Sequence, residues 1–169
     1  SDYLFYLANL CAVLLRSAQY DKALKLMSSS IPELKKTNSF YNKIGFASFY
    51  IRTMVYNNMA KNAVSYATTF LDAYKKEIFE TRWHLFFTAY SQALLSAEKY
   101  SRLVAIVKRY NLLNLEKKYM DKSVYIPVLL WYNEVALYME GKQSREKLID
   151  TITSSAQLLL RNKYIAGRI

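Results

Sequence analysis

The scarce residues limit the chemistry first. Among 169 residues there is one histidine, His84, and one cysteine, Cys11. A Ser–His or Cys–His nucleophile would need His84 as its base, and such groups must converge in one pocket. His84 instead sits in the run Trp83-His84-Leu85-Phe86-Phe87, where a packing or surface role suits it better. Cys11 lies on an apolar stripe, and a lone cysteine there reads as a small buried hydrophobe. It can form no internal disulfide, which fits a reducing compartment. One His and one Cys cannot build a structural zinc site. The acidic residues are scattered, without the closely spaced carboxylates of a calcium loop. Gly45, Gly141 and Gly167 are too far apart for a phosphate-cradling loop. No catalytic residue, metal site or cofactor is assigned, and the chain is not read as an enzyme.

The abundant residues suggest binding. Lys and Arg number 24 against 13 Asp and Glu, a net charge of +11, and there are 16 tyrosines. Bases stacked on Tyr with phosphates held by Lys and Arg would make a nucleic-acid surface. The charge is spread evenly, however. Residues 1–84 carry 11 basic and 6 acidic side chains, and residues 85–169 carry 13 and 7, with no basic arm. The tyrosines have two readings. They can line a groove, giving large contact area at low entropic cost, or fill half-buried core positions with the hydroxyl kept wet. Tyr50, Tyr90 and Tyr132 fall on packing stripes and favour the second.

The elements that would position these groups are helices. Hydrophobic residues make up 53% of the chain, with three Gly and two Pro, which suits long helices joined by short polar turns. Tyr20-Asp21-Lys22-Ala23, Met59-Ala60-Lys61-Asn62-Ala63 and Tyr100-Ser101-Arg102-Leu103 recur at intervals of forty residues. A period of that size marks stacked helix pairs. Four pairs are expected, over 2–37, 40–76, 78–111 and 122–163, forming a single domain over 1–169. Their helices are placed at 2–18, 20–36, 40–57, 60–76, 78–97, 99–111, 122–140 and 144–163. Pro32 should bend or end the second helix. Gly141 is the expected stop before the last helix and Ser144 its N-cap. Residues 111–121 read as a longer connector, with room for one extra turn, that puts the fourth pair out of phase.

No apolar run reaches the roughly 18–20 residues of a membrane span; the longest, Val124 to Tyr132, contains Pro127. Leu4 to Leu15 lacks a basic leader and is not read as a signal peptide. The chain opens on Ser, which suggests a piece of a longer protein, with the cytoplasm as the expected location.

The first helix of each pair carries an i, i+3, i+4, i+7 stripe. The stripes are Leu7, Leu10, Cys11, Leu14; Ala47, Tyr50, Ile51, Met54; Phe87, Tyr90, Ser91, Leu94; and Tyr132, Val135, Ala136, Met139. The second helices carry another, opening at Ala23, Ala63, Leu103 and Leu148. With Leu10, Cys11 and Leu14 followed by Tyr20-Asp21-Lys22-Ala23, the pattern resembles the tetratricopeptide-repeat family, in a longer form of about forty residues. The resemblance implies an all-α fold, a right-handed superhelical stack of about four antiparallel helix pairs (an α-solenoid). It implies a protein- or peptide-binding module, the sensor or scaffold part of a larger regulatory protein. A basic helical-repeat domain binding RNA or DNA is the alternative.

In that family the first helices line the concave face. Carried over by stripe position, Arg16, Ser48, Arg52, Tyr56, Thr88, Gln92 and Asn133 would face a ligand, with Ala8, Ala12 and Leu137 beside them. The set suits an extended peptide with an acidic group held by Arg16 or Arg52. The lysine and asparagine clamp that some members use for a C-terminal carboxylate is absent, since Ala8 and Ala12 occupy its places. The last helix carries Leu148, Ile149, Ile152, Leu158, Leu159, Leu160 and Ile165 on more than one face. Contact with another domain or subunit is expected there.

Overall fold

The computed structural model describes residues 3–120 and 127–161. Among them the chain is all-helical, with no strand: α1 Tyr3–Arg16, α2 Tyr20–Ser29, α3 Glu33–Lys36, α4 Phe40–Tyr56, α5 Ala60–Thr81, α6 Trp83–Ser96, α7 Tyr100–Arg109, α8 Leu112–Met120, α9 Val128–Met139 and α10 Arg145–Arg161. No helix among the described residues is long and apolar enough to cross a membrane. The contacts divide the chain into two compact units, Ser1–Ala97 and Glu98–Ile169.

In the first unit α1 packs on α2 and α4, α2 on α4, and α4 on both α5 and α6, which also pack together. Leu4, Leu7 and Cys11 of α1 meet Ala23 and Met27 of α2 and Phe46 of α4 in one buried cluster. Ala23 and Cys11 are fully buried, so small side chains stand where helices come closest. The Cys11 thiol lies 3.1 Å from the Thr53 hydroxyl, which itself donates to the Phe49 carbonyl at 2.8 Å. Burial raises the Cys11 pKa, opposed by that hydrogen bond. Cys11 is thus a packing residue, as its stripe position suggests. His84 is buried as well, with its ring edge-on to Trp83 at 5.3 Å.

In the second unit α7 packs on α8 and α9, and α9 on α8 and α10. The segment expected to be a connector is the nine-residue helix α8. It supplies Glu116, only 2% exposed, whose two carboxylate oxygens accept from the backbone N–H groups of Leu129 at 3.0 Å and Leu130 at 2.9 Å. Those are N–H groups of the first turn of α9, which lack partners within their own helix and lie at the positive end of its dipole. Pro127, the N-cap, offers no side-chain hydrogen bond, and a buried carboxylate from α8 takes that role. Trp131 ties α9 to α10 by donating its indole N–H to Ser155 at 2.7 Å.

Three helix stops share one backbone device. The N–H of Gln19 donates to the Leu14 carbonyl at 2.8 Å and that of Ala18 to Leu15 at 3.2 Å. Met59 and Asn58 repeat this on Met54 and Val55 at 2.9 and 3.0 Å, and Lys142 and Gly141 on Leu137 and Tyr138, both at 2.9 Å. These are Schellman caps, which need a left-handed residue just past the helix. Ala18, Asn58 and Gly141 supply it, with φ of 55°, 60° and 67°; Glu98 after α6 and Asn111 after α7 are left-handed as well, at 57° and 52°.

Several boundaries differ from the sequence expectation. The second helix ends at Ser29, and Pro32 opens the short α3. The helix expected over 60–76 continues to Thr81, with a break in helical geometry at Tyr74 (φ −132°, ψ 28°). The next one starts at Trp83 instead of 78. Leu10 and Met139, assigned to packing stripes, are 49% and 52% exposed. Ser144 accepts from the Lys147 N–H at 3.2 Å as the N-cap of α10. The expected start of the fourth pair at 122–126, and the side chains of Leu158, Leu159, Leu160 and Ile165, lie outside the described residues.

Candidate functional site

The first unit contains an open recess of about 260 Å³ lined by Ala12, Leu15, Arg16, Phe49, Arg52 and Tyr56. Two helices build it. Ala12, Leu15 and Arg16 share one face of α1 at i, i+3, i+4. Phe49, Arg52 and Tyr56 share one face of α4 at i, i+3, i+7, the spacing that stacks side chains along a helix. The floor is apolar and aromatic, and the polar groups are two guanidinium ions and a phenol.

The two arginines differ in how firmly they are held. Arg52 is half-buried and donates from Nη2 to the Thr88 hydroxyl on α6 at 3.0 Å. Thr88 is buried and passes its own proton to the Leu85 carbonyl at 3.0 Å. This chain of donors fixes the Arg52 fork in place, a form of pre-organisation. Arg16 is exposed at the end of α1 and makes no polar contact to the described residues, so it is free to adapt. Tyr56 is 45% exposed and stacks flat on Tyr20, with ring centroids 5.1 Å apart and planes 7° apart. The neighbouring Asn57 amide donates to the Tyr20 carbonyl at 3.0 Å and the Thr53 carbonyl at 2.8 Å. The aromatic pair therefore rests on a fixed helix end.

Of the expected ligand-facing residues, Arg16, Arg52 and Tyr56 come together in the recess with Ala12. The others do not line it. Ser48 is fully buried, its hydroxyl donating to the Ile44 carbonyl at 2.7 Å. Ala8 is buried too. Thr88 holds Arg52 in position from behind. Gln92 is half-buried on α6. Asn133 belongs to the second unit, where it is buried and its amide lies 3.3 Å from the Glu134 carboxylate. Sequence reasoning missed Leu15, Phe49 and Tyr20. Their spacing to Ala12, Arg16, Arg52 and Tyr56 was a usable signal, but Leu15 and Phe49 also pack against the buried cluster of α1, α2 and α4.

The titratable side chains of the recess are the Tyr56 phenol and the two guanidinium groups. No Asp, Glu, His or Cys lines it, and no group of three such residues able to hold a metal occurs among the described residues. Pockets that enclose a drug-sized ligand or cofactor run to roughly 300–1,000 Å³. The recess, at about 260 Å³, falls just below that range. No family model, curated protein or solved structure matches the chain.

Proposed function

We propose that this chain is a peptide-binding helical-repeat module, similar in plan to tetratricopeptide repeats, and that its recess takes an acidic side chain of an extended partner. The observation that carries the reading is the joining of Arg16 and Arg52 with Tyr56 over an apolar floor. A guanidinium held in place matches a carboxylate or phosphate bidentately. Phe49, Leu15 and Tyr56 add contact area for the neighbouring part of the peptide. In a larger regulatory protein such a module would act as sensor or scaffold, selecting a partner without altering it.

The test is fluorescence anisotropy with labelled extended peptides in which one Asp, Glu or phosphoserine is moved through a neutral background. Binding should depend on the acidic residue. Arg16→Glu should weaken it at least tenfold, about 1.4 kcal/mol, with the circular dichroism spectrum unchanged. The nucleic-acid alternative is measured alongside with a labelled single-stranded oligonucleotide at 50 and 200 mM salt. Tight binding that collapses with salt and ignores Arg16→Glu would refute the peptide reading.

A further inference from the structure

The outer face of α1 carries an exposed apolar stripe. Tyr6, Leu10 and Val13, spaced i, i+4, i+7, are 67%, 49% and 58% exposed. No charged residue occurs on α1 between Tyr3 and Leu15. An apolar stripe of this kind on a protein of net charge +11 is a surface made to be covered.

The same three positions recur at forty-residue intervals on the next two first helices. They are Phe46, Tyr50 and Thr53 on α4, and Phe86, Tyr90 and Ala93 on α6. There five of the six are closed and Tyr50 is half-buried. Phe46, Thr53, Phe86 and Ala93 are 0% exposed and Tyr90 1%. What closes them is the helix pair that comes before. Phe46 lies in the cluster of α1 and α2, and Tyr50 packs against it; Thr53 meets Cys11. Phe86 stacks on Phe70 of α5 with centroids 5.8 Å apart, and the Tyr90 hydroxyl lies 2.8 Å from that of Thr68, also on α5. Small residues on the second helix, Ala23 and then Ala63 and Ala67, are fully buried in these pairs.

We propose that Tyr6, Leu10 and Val13 form a seat for one more antiparallel helix pair, docked on α1 as α1 and α2 dock on α4. Its second helix would carry a small residue at the position that Ala23 and Ala63 hold. The inference rests on the repeat reading above but not on the recess, and its test uses no peptide.

Asn9, exposed beside the stripe, is replaced by cysteine as a reporter in the full chain. A tandem chain then places a second copy of residues 1–40 before Ser1, which continues the forty-residue register. Thiol labelling at Asn9→Cys should be at least tenfold slower in the tandem chain than in the natural one. A reference tandem also carries Tyr6→Phe, Leu10→Tyr and Val13→Thr, giving α1 the face of α4. Fast labelling in the first tandem and slow labelling in the reference would show that the natural face takes no such pair, which overturns the proposal. Fast labelling in both would show that the copied pair docks on neither face, and overturns it equally. The natural chain should sediment as a monomer. A dimer dissociated by Leu10→Glu would assign the face to a second copy and overturn the proposal.

Discussion

Replacing Ala18 with glycine should stabilise the protein, although it removes a side chain and adds backbone freedom. Ala18 holds φ at 55° so that the Gln19 and Ala18 N–H groups can cap α1. In that conformation Cβ crowds the following carbonyl, at about 1–2 kcal/mol for an ordinary L-residue. Glycine removes this strain, but it has more unfolded-state freedom to lose, about 0.4–1 kcal/mol. Ala18 is exposed, so no packing is lost. The expected net gain for Ala18→Gly is about 0.5–1 kcal/mol. For a chain of this size that corresponds to roughly 1–4 °C in Tm. Glu98, exposed at φ 57°, should gain a similar amount on Glu98→Gly. Asn58, at φ 60°, is a residue type that tolerates the left-handed region. Asn58→Gly should therefore change little, and Asn58→Ala should destabilise by about 1 kcal/mol. Urea unfolding followed by circular dichroism and Tyr fluorescence gives the ranking directly. Because the chain divides into two compact units, the transition of the first should shift with Ala18. A loss of stability in Ala18→Gly, or a larger gain at Asn58 than at Ala18, would refute the reasoning.

Two further perturbations probe the buried polar groups. Glu116→Gln keeps the shape but replaces one of the two oxygens facing the α9 N–H groups with an amide donor; a loss of about 1.5–3 kcal/mol is expected, read by urea unfolding and faster amide exchange at Leu129 and Leu130. At alkaline pH, Cys11 and Tyr66 both resist ionisation in the fold, their pKa values raised first by burial and, for Tyr66, also by Tyr50 and Tyr74. The native state thus holds these protons where the unfolded chain releases them. Stability from them is full below the unfolded pKa values and falls as pH rises past about 9 for the thiol and 10 for the phenol, by at most about 1.4 kcal/mol per pH unit for each group. Tyr66→Phe should flatten the fall above pH 10. It should also be neutral or stabilising at pH 7, since the Tyr66 hydroxyl is buried with no hydrogen-bond partner among the described residues.

The parts of the fold legible in the sequence were those set by local rules. The periodic apolar stripes predicted helices, Gly141 a stop, Ser144 a cap and Cys11 a tight contact, because each depends on neighbours within a turn. Helix α8 was read only as a connector with room for one turn, because its role depends on a contact across the chain. Glu116 is one acidic residue in a polar stretch until α9 brings its open N–H groups to it. The candidate site was half legible for a related reason. Arg16, Arg52 and Tyr56 were named from a stripe register and line one recess. That same register could not tell that Ser48, one turn before Arg52, is fully covered while Arg52 is only half-buried. Helical spacing specifies which residues share a face; how far a neighbouring helix covers that face depends on packing in three dimensions.

The position of the recess near helix ends also sets how strongly it can attract an anion. Arg16 is the last residue of α1, and Arg52 stands four residues before the end of α4. Each helix C-terminus carries about −0.5 elementary charge, so two ends together oppose an anion with about one unit. Part of that is muted by the Schellman bonds that occupy the Leu14, Leu15, Met54 and Val55 carbonyls. Two guanidinium ions leave a net charge of about +1. Removing either one brings the recess close to neutrality, so a single substitution should abolish most of the charge selectivity. Arg52 is the less informative one to change, because the Thr88 hydroxyl would lose its donor as well. Arg16, exposed and with no polar contact to the described residues, changes charge alone. It is therefore the position at which a loss of the proposed acidic-peptide binding would report on the recess itself and not on the fold.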